Sequence, residues 1–95
     1  MTVNLAEGVT LRLAEYDLYN VSDFERELDM LTAGHCTLNL ENVRFLDSTC
    51  LAALVRTLKR MRIVDPSSEL TLTNLRAPLQ RIFRITGLWR IFHIE

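Results

Sequence analysis

Residues 38–51 read Leu-Asn-Leu-Glu-Asn-Val-Arg-Phe-Leu-Asp-Ser-Thr-Cys-Leu, and this stretch decides how the chain folds. Alternating apolar residues at its start are typical of a β-strand, and the apolar pair Phe45-Leu46 leads into Asp47. From Leu51 to Met61, apolar residues recur at the spacing of one helical face. The stretch therefore takes the chain from a strand into a helix that begins at Asp47-Ser48-Thr49.

Strands and helices are predicted to alternate on both sides of this stretch. In chain order the predicted elements are a hairpin with strands at residues 3–5 and about 9–13, a helix from a Ser22–Glu25 capping box to Gly34, a strand at 36–40, the helix from Asp47 to the Asp65-Pro66 break, a strand containing Leu70 and Leu72, a helix from near Pro78 to Thr86-Gly87, and a helical turn at 88–92. The order β-β-α-β-α-β-α predicts an α/β fold with a mixed, mostly parallel sheet covered by helices.

The length and composition indicate one folded domain over residues 1–95. Apolar residues make up 48% of the chain and charged residues 24%, which are values of a globular protein. The sequence contains no run of about 18 apolar residues, so we expect no membrane span. The residues after Met1 do not resemble a secretory signal, and the two cysteines form no CxxC motif. We therefore expect reduced thiols, a cytoplasmic location and no metal site.

The charges are divided unevenly along the chain. Residues 1–43 hold eight acidic and two basic side chains, a net charge of −6, whereas residues 44–95 hold four acidic and nine basic ones, a net charge of +5. A surface polarised in this way suits docking to a protein partner, although two solvated faces that differ in sign explain it equally well. A pI of about 6.1 argues against direct binding of nucleic acid.

The start of the second long helix is the candidate site. An Asp or Ser at a helix start commonly caps unpaired backbone N–H groups, and this structural role explains Asp47. Ser48 and Thr49 fall in the first turn, where a phosphate meets a favourable helix dipole. A phosphate there also adds negative charge beside Asp47. These residues therefore allow either a simple cap or a phosphorylation switch.

The same stretch resembles the signature of the STAS family, which includes the bacterial anti-sigma factor antagonists. The resemblance rests on the strand, the short loop and the element Phe-Leu-Asp-Ser-Thr-Cys-Leu at residues 45–51, and it continues in Leu-Arg-Leu-Ala-Glu-Tyr-Asp at 11–17, Leu-Thr-Leu-Thr-Asn-Leu at 70–75 and Ile-Thr-Gly-Leu-Trp-Arg-Ile-Phe at 85–92. It implies that the unphosphorylated protein binds an anti-sigma factor with serine-kinase activity and so releases a sigma factor.

The resemblance also implies roles for individual residues. Phosphorylation of Ser48, in preference to Thr49, is expected to end the binding, and a phosphatase acting on phosphoserine is expected to reset it. Asp17, Asp47, Ser48, Thr49 and Cys50 are the expected partner-binding residues. No cofactor and no catalytic residue is implied, so we do not expect an enzyme.

Three positions depart from the family pattern, and other functions stay open. Cys50 and Ala14 stand where the family has glycine, and Tyr16 replaces an aliphatic residue. A side chain at position 50 is expected to crowd the docking surface, although a buried cysteine is the simpler interpretation. The alternative functions are a constitutive STAS scaffold or transporter-associated subunit without a switch and, as the weakest, an enzyme. A homodimer is compatible with the sequence.

Overall fold

The structure of the protein is a computed structural model that describes residues 8–95. Strands and helices alternate along this part of the chain, and together they form the predicted α/β fold. In chain order they are β1 Gly8–Thr10, β2 Glu15–Tyr16, α1 Val21–Leu28, β3 His35–Asn39, β4 Phe45–Leu46, α2 Ser48–Val64, β5 Glu69–Thr73, α3 Ala77–Ile85, a short 3-10 turn Leu88–Arg90 and β6 His93–Ile94.

The strands form one larger and one smaller sheet. The larger sheet has the order β1-β3-β5-β6, and the smaller one pairs β2 with β4. Every strand pair found within residues 8–95 is parallel. Parallel strands need crossover connections, and α2 and α3 supply long ones. In the smaller sheet, Tyr16 lies opposite Leu46, so the residues that follow both strands leave from the same edge.

The core lies on one face of the larger sheet. In β3, Cys36 and Leu38 are buried while His35 and Thr37 are exposed, and β5 repeats this alternation. The helices contribute apolar stripes to the same core, and Phe24 and Leu54 are fully buried there. The apolar residues that recur at every second position in the strands and at the helical spacing in α1 and α2 thus pack in a single cluster.

The first strands differ from their prediction. The strand expected over about residues 9–13 ends at Thr10, and its expected hairpin partner at 3–5 lies outside the described residues. After Leu11, whose N–H still donates to the carbonyl of Asn39, the chain leaves the larger sheet. It enters the smaller sheet as β2, which the sequence did not predict as a separate strand. The pair Phe45-Leu46, predicted only as an apolar segment, is the strand β4.

The predicted limits of α1 were wrong at both ends. Asn20 is the N-cap residue, and Ser22 is an exposed residue of the first turn that takes no part in a capping box. The helix ends at Leu28, where the guanidinium of Arg60 donates to the Leu28 carbonyl at 3.2 Å. Gly34, the predicted end, has φ +105° and forms the turn into β3. A turn rather than a longer helix therefore separates α1 from β3.

The later elements agree well with their prediction. Helix α2 begins directly after Asp47, and α3 carries Pro78 in its first turn. The short turn after Gly87 is helical as predicted, but β6 was not expected. Trp89 is 50% exposed, whereas Phe83 and Phe92 are buried edge to face. No helix in residues 8–95 has the length and apolar character needed to span a membrane.

Candidate functional site

Asp47 connects the start of α2 to a neighbouring loop through both oxygens of its carboxylate. Oδ1 accepts a hydrogen bond from the backbone N–H of Cys50 at 3.0 Å, which is the capping bond that the sequence predicts. Oδ2 accepts from the backbone N–H of Leu18 at 2.8 Å. One side chain therefore caps the helix and also fixes the segment that follows β2.

The loop at residues 17–20 is held by further hydrogen bonds. The Asp17 carboxylate accepts from the N–H of Tyr19 at 2.9 Å, and the Asn20 side chain accepts from the N–H of Asp17 at 2.8 Å. The Asn20 amide group in turn donates to the carbonyl of Glu15 at 3.0 Å. Asp17 is thus brought to the start of α2, as the family resemblance implies, but its carboxylate is engaged within its own loop.

An exposed surface with the hydroxyls of a serine and a threonine, two apolar side chains and one tyrosine results from this arrangement. Ser48 and Thr49, in the first turn of α2, are both exposed. Beside them the loop presents Leu18, 59% exposed, and Tyr19, 88% exposed, and β4 presents Phe45, 44% exposed. We call these five residues the Ser48 surface. Exposed apolar side chains of this size on neighbouring segments are a common mark of a protein-binding site.

The carboxylates around the Ser48 surface carry their negative charge without basic partners. The ion pairs found within residues 8–95 include neither Asp17 nor Asp47. The backbone N–H of Cys50, by donating to the carboxylate, lowers the pKa of Asp47 below its usual value. Asp47 is therefore fully ionised at neutral pH, and any further anion at Ser48 meets an existing negative charge.

Cys50 faces inward, away from the Ser48 surface. Its side chain is fully buried, so the prediction that it crowds the docking surface was wrong. Burial raises the pKa of the Cys50 thiol to about 12, and the Asp47 carboxylate contributes in the same direction. A thiol of this kind stays protonated and unreactive at neutral pH. Cys50 is accordingly the buried cysteine of the simpler interpretation, and Cys36 is buried as well.

Three residues of the Ser48 surface were missed by reasoning from the sequence. Leu18 and Tyr19 were not assigned to any element, and Phe45 was assigned only to an apolar segment. A signal was present, because Leu-Tyr follows an acidic residue in a short polar loop where apolar side chains cannot all be buried. No group of three or more metal-ligating side chains occurs within residues 8–95.

Comparisons with known proteins identify relatives of this chain. A model of the STAS domain matches residues 7–95. The chain is 35% identical over 84 residues to an anti-sigma-B factor antagonist of Staphylococcus aureus, covering 85% of this chain and 76% of that protein. The antagonist of Staphylococcus epidermidis gives the same identity and coverage.

Two solved structures share the fold. One, from Thermotoga maritima and described as an anti-sigma factor antagonist, superposes with a TM-score of 0.73 at 22% identity, covering 93% of this chain and 78% of that one. The other, the anti-sigma factor antagonist SpoIIAA in its unphosphorylated form, gives a TM-score of 0.65 at 17% identity, covering 99% and 84%.

Proposed function

The chain belongs to the STAS domain family, and on this premise we propose that it is an anti-sigma factor antagonist controlled by phosphorylation of Ser48. In its unphosphorylated form the protein binds an anti-sigma factor through the Ser48 surface and thereby releases a sigma factor. The anti-sigma factor carries a serine-kinase activity that modifies Ser48, and a separate phosphatase removes the phosphate. The protein itself performs no catalysis and acts in the cytoplasm, where transcription takes place.

The observation that carries this proposal is the exposure of Ser48 beside apolar groups and unneutralised carboxylates. The capping bond belongs to Asp47, so the hydroxyl of Ser48 is not needed to complete the start of α2. Leu18 and Tyr19 supply exposed apolar area for a partner to cover. A kinase and a phosphatase both need an exposed hydroxyl, and Ser48 provides one.

Phosphorylation would change this surface through charge and solvation. A phosphoserine at position 48 carries about −1.5 to −2 charges and three strong acceptor oxygens. The helix dipole at the start of α2 tolerates the phosphate, so the fold survives the modification. A partner, however, would have to bury this hydrated charge next to Asp47 and against the apolar side chain of Tyr19. Burial of an unpaired charge is costly, so binding ends.

The family name of the relatives supports the partner class. The Staphylococcus proteins are anti-sigma-B factor antagonists by name, and identity to them extends over 84 residues that include the predicted site. A constitutive scaffold in which Ser48 is only part of a helix start is the alternative, and in that case modification of Ser48 has no effect on binding.

A phosphorylation assay with matched variants tests the proposal. The protein is incubated with its cognate anti-sigma factor and ATP, and the modified residue is located by mass spectrometry. We expect phosphate on Ser48 in the wild type and in Thr49→Ala, and none in Ser48→Ala. Phosphate on neither hydroxyl would favour the constitutive scaffold. Phosphate on Thr49 in the wild type would move the switch by one residue and contradict the assignment to Ser48.

A further inference from the structure

A buried tyrosine–glutamate pair adjoins the loop that forms part of the Ser48 surface. The hydroxyl of Tyr16 donates to Oε2 of Glu27 at 2.6 Å, and the same hydroxyl accepts from the backbone N–H of Leu13 at 3.0 Å. Oε1 of Glu27 accepts from the backbone N–H and from Nε of Arg12, at 3.2 and 3.4 Å. Tyr16 is fully buried and Glu27 is 8% exposed.

The pair makes hydrogen bonds to the chain on one side of the Ser48 surface. Through Tyr16 and Glu27, helix α1 holds the backbone of Arg12 and Leu13 in the connection that leads into β2. The backbone carbonyl of Ala14, next in the chain, accepts from the N–H groups of Arg44 and Phe45. The connection is therefore tied both to α1 and to β4, which carries Phe45.

The same tyrosine contacts the site through its backbone. The carbonyl of Tyr16 accepts from the N–H of Asp47 at 3.3 Å, and the next residue, Asp17, begins the loop that bears Leu18 and Tyr19. The ring of Tyr16 packs on Phe24 with centroids 4.9 Å apart, so its position is fixed by the core of α1. Tyr16 thus links the buried pair to the start of α2, which carries Ser48, and to the loop that carries Leu18 and Tyr19.

We propose that Tyr16 and Glu27 are positioning residues for the Ser48 surface. Both side chains are buried, so they do not form part of the exposed surface themselves. Their hydrogen bonds hold the 12–16 segment so that the 17–20 loop presents Leu18 and Tyr19 beside Ser48 before any partner arrives. This inference rests on the proposed function for the identity of the partner, but the position of the loop in the free protein can be measured without one. Pre-ordering a loop in its bound conformation raises affinity because less freedom is lost on binding.

A second buried hydroxyl in the molecule provides a matched control. Ser68 Oγ accepts from the backbone N–H of Gly34 at 2.8 Å and donates to the carbonyl of Met61 at 3.1 Å. It is 1% exposed and makes the same kind of two-sided bond as the Tyr16 hydroxyl. Its bonds lie between the end of α2 and the turn before β3, at the other end of the fold from Asp47. Loss of either hydroxyl removes one buried acceptor and one buried donor.

The experiment compares Tyr16→Phe with Ser68→Ala in the full chain. Amide resonances of Leu18 and Tyr19 are recorded in the free protein, and the affinity for the cognate anti-sigma factor is measured by calorimetry. In Tyr16→Phe we expect both resonances to move and the affinity to fall by about threefold to tenfold, the range for a lost hydrogen bond. In Ser68→Ala we expect neither change. Glu27→Gln should weaken binding in the same direction, and adding it to Tyr16→Phe should cause little further loss because the two residues act as one unit.

Several results would overturn the inference. Unmoved Leu18 and Tyr19 resonances in Tyr16→Phe would show that the pair does not position the loop. Equal losses of affinity in Tyr16→Phe and Ser68→Ala would show that the effect is general destabilisation. If the wild-type protein does not bind the anti-sigma factor at all, the proposed function fails, while the resonances of the free protein still decide whether Tyr16 positions the loop.

Discussion

The helices α2 and α3 begin in different ways, although both follow a parallel strand. At the start of α2, the Asp47 carboxylate caps the first turn and also binds the backbone of Leu18 in another segment. At the start of α3, the N-cap residue Arg76 makes no side-chain cap, and Pro78 removes one backbone donor from the first turn. The Arg76 guanidinium instead donates to the carbonyl of Glu41.

The difference between the two helix starts indicates what makes the start of α2 a candidate binding site. Both starts are adequate for folding. At α2 a carboxylate pairs with one backbone N–H of the first turn, and at α3 a proline has no N–H that would need a partner. Of the two starts, only that of α2 has a single side chain that both caps the helix and holds a loop, and only there are exposed hydroxyls accompanied by exposed apolar residues on a neighbouring loop. The hydrogen bond that the second carboxylate oxygen of Asp47 accepts from Leu18 therefore distinguishes the start of α2, a candidate docking surface, from a helix start that is only capped.

Among the substitutions, the largest expected effect concerns Tyr19. Its side chain is 88% exposed on the loop held by Asp47, and exposed aromatic residues often dominate binding energy. We expect Tyr19→Ala to weaken binding to the anti-sigma factor by more than about tenfold, measured by calorimetry. Ile85, 77% exposed at the end of α3, is the matched control, and Ile85→Ala should leave the affinity unchanged. A loss of affinity in Ile85→Ala alone would place the partner at α3 instead.

The next largest effect separates the two helix starts by thermal stability. Asp47→Ala removes the cap and the bond to Leu18, so we expect the Tm to fall by about 5 °C. Arg76→Ala removes an exposed side chain that does not cap α3, so its Tm should fall by less than about 2 °C. Differential scanning calorimetry measures the Tm of both variants and of the wild type. Equal shifts would mean that the Asp47 carboxylate is no more important to the fold than the Arg76 guanidinium.

The acid dependence of stability gives a smaller effect with a defined sign. The hydrogen bond from Cys50 lowers the pKa of Asp47 in the folded protein, so the unfolded chain takes up its proton first as the pH falls. The stabilisation is complete above the unfolded pKa of about 3.9 and is lost as the pH falls through the lower folded pKa. Asp47→Asn should therefore lose less stability than the wild type between pH 5 and pH 2, in urea titrations at each pH. Parallel curves for the two proteins would contradict this assignment.

The smallest expected effect is on the serine itself. Because Asp47 makes the capping bond, Ser48→Ala should change the free energy of unfolding by at most about 1 kcal/mol. Urea denaturation of the variant beside the wild type measures this change. A larger loss would mean that the Ser48 hydroxyl is mainly structural, and the contrast between the cap and the exposed hydroxyl would disappear.

Much of the fold could be predicted because local signals agreed with the final structure. The apolar spacing in α2 and the Asp47 cap located the residue at which this helix starts. The alternation in β3 and β5 located both strands to within about one residue. The 2-residue strands β2, β4 and β6 were missed because so short a strand has no period to detect. The end of α1 was misplaced because Arg60, distant in sequence, caps it.

The site was predictable only in part for a similar reason. Asp47 and Ser48 were predicted as site residues from the pattern of a helix start, whereas Asp17 was implied only by the family resemblance. The loop that carries Tyr19 is held by the bond between Asp47 and the backbone of Leu18, which joins segments far apart in the chain. The inward orientation of Cys50 likewise depends on its position in the first turn of α2 relative to the core. Such contacts follow from tertiary packing, so the pattern of either segment alone does not establish them.

The most direct measurement compares the binding of unmodified and Ser48-phosphorylated protein to the cognate anti-sigma factor by calorimetry, with Ser48→Ala as the control that cannot be modified. We expect the unmodified protein and Ser48→Ala to bind with similar affinity, and phosphorylation to weaken binding by about a hundredfold or more. Equal affinity of the phosphorylated and unmodified proteins would contradict the account, because the charge at Ser48 would then lie outside the surface that the partner covers.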